Sequence, residues 1–168
     1  MNLKPLIHAF SCLLVIRATA EEPLPKDAIK NITISVQGYE LSQKDPLVLQ
    51  MQAPQADAKL ALQKLTVLAA RGQAKVTAIA SLNTKSGQRA TTGDKNNHLD
   101  VEPVIGPDGN QISMNVVFQH GAQSLKINSN SAFGGTVFLG ALNIGGKGTV
   151  ELVFAHISAQ LTFSKAAP

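Results

Sequence analysis

The sequence predicts an α+β fold, rich in β, in which a mostly antiparallel sheet has one main helix packed on it. Three observations lead there. Apolar and polar residues alternate through most of the chain from Gln73 to Phe163, the period of strands with one buried face. Turn chemistry breaks that run at short intervals, as in Ser86-Gly87 and Gly106-Pro107-Asp108-Gly109, where Gly supplies positive φ and Pro and Asp preset their neighbours. One segment, Asp57 to Arg71, switches to helical spacing, with Ala58, Ala61, Leu65 and Leu68 on a stripe that Leu62 and Ala69 widen.

Taken in order, Ile29 to Leu41 is the first strand, alternating at Ile32, Ile34 and Val36, and Lys44-Asp45-Pro46 closes it as a turn. The formal glycosylation sequon Asn31-Ile32-Thr33 sits inside that strand. Asp57 is the expected N-cap of the helix, and Arg71-Gly72 its stop, with a cation near the negative end of the dipole. Ala74, Val76, Ala78, Ala80 and Leu82 are then expected on one strand face. After the Ser86-Gly87 turn a second strand begins at Gln88, and Thr91 to His98 forms a polar link. Leu99, Val101 and Pro103 follow, and Ile112, Met114, Val116 and Phe118 alternate strictly. His120-Gly121-Ala122-Gln123 reads as a hairpin loop, with Leu125 and Ile127 beyond it and Asn128-Ser129-Asn130-Ser131 as loop material. Thr136 to Leu142 is a short strand between Gly134-Gly135 and Gly145-Gly146. The last strand, Val150 to Phe163, is apolar on both faces: Val150, Leu152 and Phe154 on one, Val153, Ile157 and Leu161 on the other. A strand buried on both sides belongs at the centre of its sheet.

The length of 168 residues suits one core. The domain organisation expected is a signal peptide at 1–20, a linker at 21–28 with Pro23 and Pro25, and one β-rich domain at 29–165. Lys4 precedes an apolar run from Leu6 to Ile16, and Ala18-Thr19-Ala20 offers small residues at the positions a signal peptidase reads, so cleavage is expected after Ala20. A buried N-terminal helix is the competing reading. The only cysteine, Cys12, lies within that leader, and Ala9-Phe10-Ser11 is a poor lipidation signal before it, so a processed chain has no disulfide. Removing Lys4 and Arg17 takes the basic residues from 15 to 13 against 11 acidic ones, a net +2. The charges are dispersed and almost no aromatics lie between them, which excludes the usual footprint of a nucleic-acid binder.

The search for chemistry predicts no catalytic, cofactor-binding or metal site. His98, His120 and His156 stand alone, without ligand spacing. His120 is expected in a loop and His156 on a strand with a local partner. Asp100 and Glu102 share a strand face about 7 Å apart, a spacing open to glycoside chemistry, but solvent-facing carboxylates are the commoner outcome. Asp108 is explained by its turn. Gly145-Gly146-Lys147-Gly148-Thr149 lacks the spacing of a phosphate loop and is followed by a strand, so it is read as a glycine hairpin. No serine lies in a G-x-S-x-G elbow.

Five strings, in order, carry a resemblance. Ile32 to Leu41 is similar to "I-x-V-x-x-x-E-L-S". Asn83-Thr84-Lys85-Ser86-Gly87-Gln88-Arg89-Ala90 is similar to "T-x-S-G-Q-x-A", and Leu99 to Gly109 to "L-x-V-x-P-x-x-x-x-D-G". Gly135 to Leu142 is similar to "G-x-T-V-V-L-G-G-L", and Val150 to Ile157 to "E-L-L-I-F-I-T-P". In this order the strings resemble the C-terminal homology domain of bacterial secretins, the ring proteins of type II and type III secretion outer membranes. The chain departs from that pattern in three ways. Only a short stretch precedes the first strand, the link at Thr91–His98 lacks the family's longer insertion and its Gly-Thr pair, and Ala80 or Ser81 replaces a proline. The mature part has five Phe and Tyr39, too few for the aromatic belts of a membrane barrel. The resemblance therefore implies a reduced, stand-alone secretin-like domain, exported to the periplasm or associated with the outer membrane. It would act without catalysis, by self-association or by contact with a larger cell-envelope protein, its contact with lipid left open. A monomeric periplasmic binding module is the alternative reading.

Overall fold

The computed structural model describes residues 29–53, 56–143 and 148–161. The expected leader and linker, Gly145-Gly146-Lys147 and the chain beyond Leu161 lie outside the described residues. Eight strands and two helices follow in the order β1 (Ile29–Ser42), α1 (Pro46–Met51), α2 (Ala58–Ala70), β2 (Lys75–Thr84), β3 (Ala90–Gly93), β4 (Asn97–Ile105), β5 (Gln111–His120), β6 (Gln123–Ala132), β7 (Thr136–Leu142) and β8 (Thr149–Leu161). All pairings are antiparallel. The α+β, strand-rich class is as the sequence predicts, but the strands form two four-stranded sheets, β2-β1-β8-β7 and β3-β4-β5-β6, and not one.

Two sheets arise because β1 and β8 are apolar on both faces and need a cover on each. On the inner face Ile32, Ile34 and Val36 of β1 and Val153, Ala155 and Ile157 of β8 meet Leu99 and Val101 of β4 and Ile112, Met114, Val116 and Phe118 of β5. On the outer face Tyr39, Leu41, Val150, Leu152 and Phe154 lie under Leu47, Val48 and Met51 of α1 and Ala61 and Leu65 of α2. The order of layers is thus helices, first sheet, second sheet. Each fully buried large apolar side chain contributes about 1.5–3 kcal/mol. β8 sits centrally between β1 and β7, as its two apolar faces predict.

The helices cover only one end of the outer face. At the other end the same strands carry polar side chains: Ser35 and Ser81 are joined across β1 and β2 at 3.0 Å, and His156 of β8 reaches Thr136 of β7 at 3.5 Å.

α2 is the helix read from sequence. Asp57 Oδ1 accepts from the Leu60 N–H at 3.0 Å, and Gly72 takes φ +69° after the last turn. α1 was not expected. The residues read as a turn instead supply its start, with Pro46 in the first turn and Asp45 Oδ1 accepting from the Leu47 N–H at 2.8 Å. Three other expectations change. The second strand after Ser86-Gly87 begins at Ala90, not Gln88, and the polar link becomes the β3–β4 hairpin. Asn128 to Ser131 lies within β6, opposite Asn115 to Ile112 of β5, and is not a loop. Finally, β2 does not keep one face. Its register with β1 shifts between Gly38↔Ala78 and Tyr39↔Val76, leaving Thr77 as an extra residue, so the strand inverts at that bulge. Ala74 joins the core under the helices, whereas Ala80 and Leu82 join the core between the sheets.

The two strings around the first turns are physically joined. The Gly87 N–H donates to Pro103 O at 2.7 Å, and Ser86 Oγ accepts from the Ile105 N–H at 2.9 Å. Asp108 Oδ1 accepts from the Asn110 N–H at 3.1 Å, and Gly109 has φ +73°, so that loop is the turn the sequence predicts.

Candidate functional site

The inner face of β8 reads Glu151, Val153, Ala155, Ile157, and its first residue breaks the apolar pattern. Glu151 is fully buried. A buried carboxylate persists only with good hydrogen bonds around it, and the fold supplies them from both sheets. Thr77 Oγ1 donates to Glu151 Oε1. His120 Nδ1 lies within hydrogen-bond distance of Glu151 Oε2, at 2.7 Å. Thr77 comes from the bulge in β2, and His120 from the last position of β5, so the cluster joins the first sheet to the second at one end of the sandwich.

Backbone features serve this arrangement. Gly38 of β1 faces the carboxylate. A Cβ there would fall inside van der Waals contact of Glu151 Oε1 and lie 2.8 Å from Thr77 Oγ1, so only glycine leaves the room. The bulge adds one residue to β2 at the point where Thr77 must turn inward. On the other side, Gly121-Ala122 is a two-residue hairpin loop, closed by the pair His120↔Gln123, with Gly121 at φ +59°. His120 is therefore a strand end fixed by its hairpin, not a loop residue. Directly across from it stands Asn97, whose buried Oδ1 has no hydrogen-bond partner.

A cavity of about 440 Å³ opens beside the cluster, lined by Glu40 and Lys75 of β1 and β2, by Val76 and Thr77, by His120 to Gln123, and by Asn143. Glu40 and Lys75 are direct cross-strand partners. Both polar atoms of the Gln123 side chain hold the Asn143 backbone: Oε1 accepts from the Asn143 N–H at 2.8 Å, and Nε2 donates to Asn143 O.

The carboxylates singled out by sequence behave differently. Asp100 is largely buried on the outer face of the second sheet, where Arg89 clasps it: Nε donates to Oδ1 at 2.9 Å and Nη2 donates to Oδ2. The Arg89 hydrogen bonds hold Asp100 below its ordinary value, and Asp100 in turn raises Arg89. Glu102, two residues on, is exposed. A carboxylate held ionised by a guanidinium cannot serve as the proton donor of a carboxylate pair near neutral pH. Among the described residues no group of three His, Cys, Asp or Glu side chains could hold a metal ion. No described helix is long and apolar enough to cross a membrane.

Sequence reasoning passed over Glu151, Thr77 and Gly38. Two signals pointed to them: a charged residue on the fully apolar face of a central strand, and a glycine in the interior of another.

No protein-family model matches the chain, and no curated protein matches it. Among solved structures the chain is similar to secretins. One is the secretin domain β-barrel of InvG from the Salmonella SPI-1 injectisome, with TM-score 0.47 and 10% identity over 83% of this chain and 65% of that one. Another is ExeD of Aeromonas hydrophila, with TM-score 0.40 and 11% identity over 80% of this chain and 48% of that one. A third is the type II secretion secretin GspD of E. coli K12, with TM-score 0.40 and 11% identity over 79% and 49%. The chain thus spans between about half and two thirds of the length of the secretin chains it matches.

Proposed function

We propose that this chain is a secretin-like domain of the bacterial envelope, exported through the segment 1–20, that acts by assembly and not by catalysis. Its partner is a second copy of itself or a larger envelope protein. The observation that carries the reading is the pair of long open edges. β2 and β6 each run ten residues and pair along one side only among the described residues. Neither contains proline, and β6 carries a single charge, Lys126, so the usual defences of an edge strand are thin. A strand added to such an edge satisfies a full row of backbone groups. The five motifs in family order support the same reading.

The native mass of residues 21–168 in mild detergent, by size exclusion with light scattering, tests it. A discrete oligomer is the expected result. A strict monomer at every concentration, with no partner strand taken up, would overturn self-assembly and favour the stand-alone binding module.

A further inference from the structure

We propose that the cavity beside His120 is a binding site for a small zwitterion of about dipeptide size, a short peptide with both ends free. This does not rest on the assembly reading. The cavity, about 440 Å³, falls within the range of about 300–1,000 Å³ for small-molecule sites. Its walls offer one ammonium, one carboxylate and one imidazole: Lys75, Glu40 and His120.

The charges are available. Lys75 and Glu40 are opposite each other in register, yet neither forms an ion pair or a side-chain hydrogen bond among the described residues. The imidazole lines the cavity with one nitrogen unengaged: Glu151 holds Nδ1, which leaves Nε2 as the ring atom able to meet a ligand. The cluster behind the wall is costly to build, with a fully buried carboxylate and an obligatory glycine at 38, and it reaches the cavity through Thr77 at the bulge and through His120. Buried charge of this kind is weak evidence for stability, and bulges concentrate beside functional sites.

The charge pattern selects the ligand. Opposite residues on adjacent strands stand about 5 Å apart at Cβ. An anion drawn to Lys75 would face Glu40 at that spacing, and a cation drawn to Glu40 would face Lys75. A ligand bearing both signs meets both, its carboxylate at Lys75 and His120 and its ammonium at Glu40. Gln123 is bonded to the Asn143 backbone and shapes the wall, and the three ionisable groups carry the recognition of charge.

Titration of the isotope-labelled full chain with L-alanyl-L-alanine, followed by NMR, tests the site. Saturable shifts are expected at Lys75, His120 and Gly121. N-acetylation or C-amidation of the probe should each weaken binding by about tenfold or more, the worth of one charge-assisted hydrogen bond. Glu40→Gln and Lys75→Met, both at the cavity wall, should each weaken the free dipeptide, and Glu40→Gln should erase the penalty of acetylation. Spectra that otherwise match the parent chain establish that each variant is folded. Absence of saturable shifts with the free dipeptide, equal binding of the capped probes, or full binding by both variants would each overturn the proposal.

Discussion

Glu151 and Asp100 are both carboxylates largely removed from water on the strands of one sandwich, and each is held by a basic partner. Their settings differ. Asp100 lies on an outer sheet face beneath an arginine whose side chain is 69% exposed, so water and salt reach the pair. Glu151 lies between the sheets with no exposure, and its histidine partner keeps only 21%. Screening weakens the first pair, whereas the second holds a carboxylate with no exposed surface, and loss of its partner is correspondingly costly. The Arg89 pair decorates the fold, and the His120 pair closes one end of its core.

The sharpest way to break this contrast is His120→Ala. It leaves Glu151 buried with Thr77 alone, and removal of one partner of a buried pair costs about 3–5 kcal/mol. Replacing both partners, as Glu151→Leu with His120→Ala, should recover part of that loss, because the uncompensated charge is gone. Urea unfolding of the three chains measures it. A double variant no more stable than the single one would show that the carboxylate is not the source of the cost. Next in size is Gly38→Ala. The added methyl meets the Glu151 carboxylate and Thr77 Oγ1, and such overpacking costs about 1–3 kcal/mol. In a Glu151→Ala background the same methyl should cost distinctly less, since the side chain it strikes is absent. An unchanged cost there would place the strain in the backbone.

Much of the fold was legible because its signals are local. α2 announces itself by Asp57, its stripe and Gly72, and β8 by two apolar faces. The misses come from long-range or compensated features. α1 has six residues, too few to display a stripe, and its Asp45-Pro46 start is also good turn chemistry. Beyond Leu125 and Ile127, β6 carries small polar residues on both faces, so only pairing with β5 reveals Asn128–Ser131 as strand. The inversion of β2 at Thr77 depends on the register of β1, which no local pattern encodes. The cluster at Glu151 draws on residues 74 and 31 positions away, so its members share no motif. What the sequence did hold was the anomaly itself, a glutamate among Val150, Leu152 and Val153.

The smallest effect belongs to Arg89→Ala, and its pH dependence sharpens the contrast most. Arg89 holds Asp100 below its ordinary value of 3.8 in the fold, by hydrogen bonding first, against the opposing effect of partial burial. A group whose pKa is lower folded than unfolded binds fewer protons in the native state. Its stabilisation is therefore complete above about pH 4 and is lost as pH falls through the folded value. Without the guanidinium that difference shrinks, so the melting temperature of Arg89→Ala should fall less steeply than the parent's between neutral pH and about pH 3. The gap between the two chains at neutral pH should be small and should narrow at about 1 M salt, where screening acts within about 3 Å. The loss caused by His120→Ala should persist at the same salt, because Glu151 itself has no surface in contact with solvent. Equal salt sensitivity of the two variants would mean that water reaches Glu151 after all, and the two carboxylates would then differ in partner only.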